Sequence, residues 1–272
     1  MKHMSQRVAL LGGGKMGEAL LAGILRAGRT AADIVVSERH PERAAELRER
    51  YGVTTAEPAG AIADADVIIL AVKPQDMPAL LADIGKAARP EQLVVSVAAG
   101  IPAAFIERNF DADVPVVRVM SNTAVFVDQA MSAISAGAHA TGDHMKLAED
   151  LLSPVGEVIR VPESQLDAVT ALSGSGPAYF FYLVEAMTDA GILLGLPREV
   201  AYRLIVQTAI GAATMLKETG EHPVKLREAV MSPAGTTIAA IREMENHGVR
   251  AAMIGALEAA RDRSRELASG LG

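Results

Sequence analysis

The 272-residue chain carries 26 Lys+Arg against 33 Asp+Glu, a formal charge of −7, and lacks the basic face and stacking aromatics of a general nucleic-acid binder. Its lack of Cys excludes disulfides, thiolate nucleophiles and Cys-ligated metals, and fits a reducing, cytoplasmic compartment. Half of the residues are hydrophobic but only 3% aromatic, with 49 Ala and 24 Gly, so a sizeable core must close through small side chains.

At roughly 150 residues per domain, the length predicts two domains. No uncharged apolar stretch reaches the roughly 18 residues of a membrane span. The opening MKHMSQ has no apolar h-region and does not read as a signal peptide. Arg7–Leu11 is an apolar run ending in glycines, as expected of a strand covered on both faces. A helix over Gly17–Ala27, a strand over Asp33–Ser37 and a helix over Pro41–Tyr51 follow. Val67–Val72, Leu93–Val97 and Val114–Met120 are further buried-strand patterns, and Ala130–Ala136 and Val158–Val161 extend the sheet at its far side. Strands separated by helices predict right-handed crossovers and a parallel sheet.

The pattern changes near residue 162. From Pro177 onward the signals are helical, and Ala178–Val184 (AYFFYLV) is apolar around its whole circumference. A helix without a polar face must be buried on all sides, and a C-terminal domain of this size has little room to bury one alone. A homodimer with shared helices is the preferred reading, with domains at 1–162 and 163–272.

Gly12–Gly17 (GGGKMG) fits G-x-G-x-x-G between a strand and a helix. In that setting Gly12 permits the tight turn, Gly14 admits a pyrophosphate close to the backbone, and Gly17 packs helix on strand. The helix N-terminus adds free N–H groups for the anion. Lys15 either neutralises phosphate or faces solvent. Ser37 and Arg39 at the end of the second strand suit the 2′-phosphate of NADP(H), whereas Glu38 would repel it if it pointed inward. NADP(H) is therefore the preferred cofactor, with NAD(H) the alternative. Val72, Lys73 and Pro74 (in AVKP) lie at a strand's carboxyl end, where open sheets place ligands. Ala98 and Ala99 after the next strand are small enough for a nicotinamide to lie near the backbone.

Two further segments stand out. SGSGPA (Ser173–Ala178) places Pro177 in the first turn of the all-apolar helix, entered through Gly176. SPAGTT (Ser232–Thr237) reads as an N-cap Ser and an N1 Pro, with N–H donors at Gly235, Thr236 and Thr237 beside the Ser232 hydroxyl. That arrangement suits a carboxylate, and equally describes ordinary helix caps. The six His form no pair at i,i+4 and there is no H-E-x-x-H, so no metal is expected; no G-x-S-x-G elbow occurs. Lys217, Lys225, His222 and His247 offer little acid–base capacity, which points away from alcohol oxidation.

Together with RVMSNT (Arg118–Thr123), LSGSGPAY (Leu172–Tyr179) and RSREL (Arg263–Leu267), these motifs resemble those of the pyrroline-5-carboxylate reductases over essentially the whole chain. The resemblance implies an α/β fold: an N-terminal Rossmann-type doubly wound sheet followed by an all-helical dimerisation domain, often assembled into rings of dimers (a decamer). It implies NAD(P)H-dependent reduction of (S)-1-pyrroline-5-carboxylate to L-proline, the final step of proline biosynthesis. The match of GGGKMGEAL, AVKP and VAAG adds Met16 and Val72 to the cofactor contacts. Ser232, Gly235 and Thr236 would hold the substrate carboxylate, Ser175 and Gly176 would form part of the substrate wall, and Thr237 would serve the imine nitrogen. A protonated cyclic imine is already electrophilic at carbon, so orientation against the nicotinamide, worth ~7–11 kcal/mol in good cases, is the main requirement.

The chain departs from the family's usual pattern in three places. Ser121 and Ala124 stand where prolines are common, which would loosen that loop; Ala234 replaces a frequent Gly; and Pro58 replaces an Asn near the adenosine ribose. Two other readings stay open. A β-hydroxyacid dehydrogenase or related imine reductase would share the glycine turn but carry a Lys or Asp on the long helix, where this chain has Glu185 and Asp189. A Rossmann-type NADPH sensor would have no use for SPAGTT.

Overall fold

The computed structural model describes residues 6–269; the first five residues, including His3 and most of MKHMSQ, and the last three lie outside the described residues. The chain forms two compact units. One contains the described residues up to Ser175 together with those from Ala260 onward, and the other is Gly176–Ala259.

The first unit is built on an eight-stranded sheet: β1 (Val8–Leu11), β2 (Ile34–Ser37), β3 (Thr54–Thr55), β4 (Val67–Leu70), β5 (Leu93–Ser96), β6 (Val116–Met120), β7 (Ala130–Ala136) and β8 (Gly156–Arg160). Their spatial order is β3-β2-β1-β4-β5-β6-β7-β8, and every pairing is parallel except β6 with β7. This is the doubly wound, Rossmann-type order, and it reverses direction between β1 and β4. Crossovers include α1 (Lys15–Arg26), α2 (Pro41–Tyr51), α3 (Pro58–Ile62), α4 (Met77–Ile84), α5 (Ala103–Glu107) and α6 (Gly142–Leu152). Val8, Leu10, Ile69 and Val95 pack into one core, and Ala9, Leu11, Ile68 and Val94 into another on the opposite face. Burial on both faces explains why these strands read as unbroken apolar runs rather than alternating ones.

The strand predictions run long at their ends. Ala71 N–H still donates to Leu11 O (2.8 Å), but Ala71 and Val72 lie past the end of β4, where the chain turns into a 3-10 segment, Pro74–Asp76. Helix α1 starts at Lys15, two residues before the expected Gly17, with Gly14 as N-cap. The two-residue β3 and the five-residue α3 and α5 are too short to carry a periodic signal.

Side chains from α1 and α2 brace the glycine turn. Glu18 accepts hydrogen bonds from Arg43 Nη2, from Arg50 Nη1 (2.9 Å) and from the Tyr51 hydroxyl (2.9 Å). Burial pushes the Glu18 carboxyl up, but the bonds from Arg43 and Tyr51 and the charges of Arg43 and Arg50 outweigh it and hold the group below its ordinary value.

Past residue 162, α7 (Leu166–Val169) and a π-turn over Thr170–Gly174 stay with the sheet-bearing unit. Glu163 accepts from Ala103 N–H (2.8 Å) and pairs with the buried Arg118 (3.0 Å), while Ser264 Oγ donates to Asp167 (2.8 Å).

The second unit is helical: α8 (Gly176–Leu193), α9 (Arg198–Thr219), α10 (Pro223–Ala229), α11 (Thr236–Asn246) and α12 (Val249–Ser269), which continues into the first unit. Gly191 of α8 lies so close to α9 that a Cβ there would stand 2.7 Å from the Cβ of Ala201. Small residues set that approach. Three of the four aromatic residues of α8 are not covered within one chain: Phe180, Phe181 and Tyr182 are 64%, 69% and 70% exposed, while Tyr179 is half-buried.

One local expectation is corrected. Ser232 and Pro233 are not the N-cap and N1 of a helix; α11 begins at Thr236 and is capped by Gly235. Ser232–Gly235 is instead a β-turn closed by Gly235 N–H on Ser232 O (3.0 Å), with Ala234 in the left-handed region at φ +55°. Proline at the second position and positive φ at the third define a type II turn, whose third position favours glycine.

Two stability measurements follow. Glu18→Gln removes charge-assisted bonds and should cost about 1–3 kcal/mol at neutral pH in denaturant unfolding. Because the folded carboxyl lies below the ordinary 4.5, this contribution is complete above that value and fades as pH falls through the depressed one. A variant difference that persists unchanged into strong acid contradicts this. Ala234→Gly should raise stability by about 0.5–1 kcal/mol, the relief of left-handed strain less the extra chain entropy of glycine. A fall in Tm would contradict a left-handed Ala234.

Candidate functional site

Leu11 pairs with Ser37 on one side and Leu70 on the other, so β1, β2 and β4 end together where the strand order reverses. The glycine turn passes between these ends. Gly12 takes φ +110° and its N–H donates to Ser37 O (2.8 Å); a Cβ on it would stand 2.7 Å from the carbonyl carbon and oxygen of Ala71. Gly17 abuts the carbonyl oxygen of Gly12 with no room for a side chain, whereas the space beside exposed Gly14 is open. Each glycine thus meets the requirement read from its spacing. The first turn of α1, with exposed Lys15 and half-buried Met16, presents N–H groups that have no acceptor within the helix. A pyrophosphate fits that arrangement.

At the end of β2, Ser37 is buried and Glu38 turns toward the glycine turn. Its Oε2 accepts from Gly13 N–H (2.9 Å); its Oε1 accepts from His40 N–H (2.9 Å) and lies 2.8 Å from His40 Nδ1. Burial raises the Glu38 carboxyl, but the hydrogen bonds from His40 and Gly13 outweigh it and hold it below the usual range. Arg43 Nε donates to Gly13 O (2.9 Å), so the Gly13 residue is gripped at both backbone groups. Arg39 is exposed and pairs with Asp76 at 3.3 Å. Sequence reasoning selected Ser37 and Arg39 here and missed Glu18 and Arg43, the latter of which read only as one of the interleaved charges of the Pro41–Tyr51 helix. Pro58 is the first residue of α3 and offers no N–H.

The neighbouring loops share this edge. Ala71 lies against Gly12, Val72 and Pro74 are half-buried, and Lys73 is exposed as the N-cap of the 3-10 segment. Ser96 pairs with Leu70, which sets Ala98 (buried) and Ala99 (exposed) just beyond the end of β5. Leu267, in the RSREL segment, lies beside Gly100. The loop lacking prolines is not loose. Ser132 Oγ donates to the buried Ser121 Oγ (2.9 Å), Asn122 Oδ1 accepts from Ala124 N–H (3.1 Å), and Asn122 Nδ2 donates to Ser173 O (3.1 Å). Met120 fills the space left by the missing side chain of Gly174.

Ser175 is half-buried at the end of the first unit, and Gly176 is buried at the start of the second. In the second unit, Ser232 and Thr236 are exposed and Gly235 and Thr237 are half-buried. The Ser232 hydroxyl rests where a side chain on Gly235 would be. Of the three expected donors, Gly235 N–H is committed to the turn. The N–H groups of Thr236 and Thr237 open α11 and have no helical acceptor. Among the described residues, no three His, Cys, Asp or Glu side chains come together as a metal site.

Comparison with known proteins bears on both units. A family model for pyrroline-5-carboxylate reductase dimerisation matches residues 163–267, and one for NADP oxidoreductase, coenzyme F420-dependent, matches residues 7–100. A protein from Corynebacterium melassecola named pyrroline-5-carboxylate reductase is 47% identical over 264 residues, covering 96% of this chain and 98% of that one. The solved structure of a pyrroline-5-carboxylate reductase from Coxiella burnetii is similar with a TM-score of 0.91 at 35% identity, covering 97% of this chain and 98% of the other. That of Plasmodium falciparum pyrroline carboxylate reductase with NADP bound is similar at 0.85 and 25% identity, with coverage of 97% and 98%. The sheet order, the glycine turn and these full-length likenesses agree: the chain is an oxidoreductase that belongs to the pyrroline-5-carboxylate reductase family.

Proposed function

We propose that this chain reduces (S)-1-pyrroline-5-carboxylate to L-proline with a nicotinamide dinucleotide, in the cytoplasm. The observation that carries the reading is the Ser232–Gly235 turn, which opens α11 with a hydroxyl and two free N–H groups in a chain that also holds a dinucleotide-shaped glycine turn. Gly12, Gly14, Lys15, Met16 and Gly17 would hold the pyrophosphate, Ser37 and its neighbours the adenosine ribose, and Val72–Pro74 with Ala98 and Ala99 the remainder of the carrier. When bound, the reduced nicotinamide supplies the hydride.

The chain's own groups have modest tasks. Ser232 and the N–H groups of Thr236 and Thr237 fix the substrate carboxylate at the start of α11, where the helix dipole favours an anion; Gly235 keeps the Ser232 hydroxyl in place. Ser175 and Gly176 form part of the substrate wall. The Thr237 hydroxyl hydrogen-bonds the ring nitrogen and orients it. A hydroxyl is a poor acid at neutral pH, so the imine nitrogen takes its proton from water before hydride transfer. The imine enters protonated and accepts hydride at carbon, and no strong base is required. NADPH and NADH both serve in this reading: Ser37 and Arg39 suit the 2′-phosphate, and Glu38 opposes it.

The open aromatic face of α8 is proposed as the seat of a homodimer, with rings of dimers the larger assembly. No helix among the described residues is long and apolar enough to cross a membrane.

Following dinucleotide absorbance with pyrroline-5-carboxylate should show turnover by the full chain; none with either carrier, from folded protein, would overturn the assignment. In Thr237→Ala, kcat should fall at least about tenfold with little change in dinucleotide Kd, as expected for loss of a group acting on the reacting atoms. Unchanged kcat removes Thr237 from the mechanism. Phe181→Glu should lower the sedimenting mass by placing charge in an apolar contact; an unaltered oligomer would place the interface elsewhere.

A further inference from the structure

We infer that Glu38 sets the choice of carrier and turns it toward NADH. The inference rests on the proposed dinucleotide role of the glycine turn and adds to it the residue that discriminates at the adenosine ribose.

Position comes first. Glu38 is the residue immediately after β2, and the register Leu11↔Ser37 brings it level with the start of the glycine turn. In a doubly wound sheet this is where the adenosine ribose lies, and an acidic residue there accepts from its 2′-hydroxyl. Orientation is equally definite. The Glu38 side chain is only 10% exposed and aims at Gly13, not at solvent.

The count of acceptor sites then decides what it can take. Oε1 serves the His40 N–H and faces the His40 ring, while Oε2 serves only Gly13 N–H. A carboxylate oxygen has two lone pairs, so Oε2 retains one for a hydroxyl donor. A 2′-phosphate has no proton to give at this carboxylate and brings a second negative charge beside it.

The nearby cations do not offset that charge. Arg39, the residue best suited to a 2′-phosphate, is 74% exposed and paired with Asp76. Arg43 is occupied by Glu18, Glu46 and the Gly13 carbonyl. Lys15 belongs to the N-terminus of α1, where the pyrophosphate common to both carriers docks, so it does not discriminate. The hydrogen bonds that lower the carboxyl keep Glu38 charged at neutral pH.

The test is equilibrium binding of NADH and NADPH to the full chain, followed by dinucleotide fluorescence, with calorimetric titration of 2′,5′-ADP and 5′-ADP as probes of the ribose alone. Wild type should bind NADH at least as tightly as NADPH, and 5′-ADP at least as tightly as 2′,5′-ADP. Glu38→Gln keeps an acceptor for Gly13 N–H and removes the charge; it should shift the NADPH/NADH affinity ratio toward NADPH by about tenfold or more, since like charges brought together are costly. Wild-type preference for NADPH by about tenfold, or an unchanged ratio in folded Glu38→Gln, would overturn the assignment of Glu38 while leaving the reductase reading intact. Failure of wild type to bind either dinucleotide would overturn both.

Discussion

The site depends on a steric constraint at one point in the sheet. β1, β2 and β4 end at the same level, and the chain leaving β1 must pass between its neighbours and begin a helix within four residues. Gly12 lies against the Ala71 carbonyl, and Gly17 lies against the Gly12 carbonyl. A methyl group at either position would separate the helix from the strands. Because both are glycine, the N-terminus of α1 is held at the strand reversal, and the loops after β2, β4 and β5 are ordered around it. In the proposed reading, recognition of a pyrophosphate there would therefore be built from backbone, and no particular side chain would have to carry it.

Charged side chains hold that backbone in place. Glu38 and Arg43 take opposite ends of Gly13, and Glu18 in turn engages Arg43, Arg50 and Tyr51. Each carboxylate lies where burial alone would favour the neutral acid, and each is kept ionised by donors aimed at it. In the proposed role of Glu38, the same oxygen that steadies the turn would also set the charge presented to the ribose, so that bracing and selectivity would be coupled in one side chain.

Much of this was legible in the chain. Apolar runs marked the strands because both sheet faces are covered, and the spacing of Gly12, Gly14 and Gly17 carried their roles. Other features lay beyond pattern reading. Ser-Pro at residues 232–233 fits a helix start and a type II turn equally, since proline presets the same φ for both. The positive φ of Ala234 that separates them is not an alanine preference. Glu38 showed its charge but not its direction, and whether it faces Gly13 or water reverses its meaning for the cofactor. The arginines that hold the turn were indistinguishable from a solvated helix face until α2 was packed beside α1. For α8, the all-apolar pattern correctly implied a need for cover, and the exposed aromatics show that one chain does not supply it.

The Ser121–Ser132 hydroxyl pair carries a consequence for how this loop becomes ordered. A proline restricts the chain in the denatured ensemble as well as the native one, and so lowers the entropy surrendered on folding. A hydrogen bond between residues on β7 and the end of β6 acts only after those strands have met. The part of the order in Met120–Ala124 that rests on this pair is thus acquired with the antiparallel pairing and lost with it, while the Asn122–Ala124 bond is local. In this chain that tether belongs to the cooperative unit of the sheet, where a proline would restrict the loop in the folded and the unfolded chain alike.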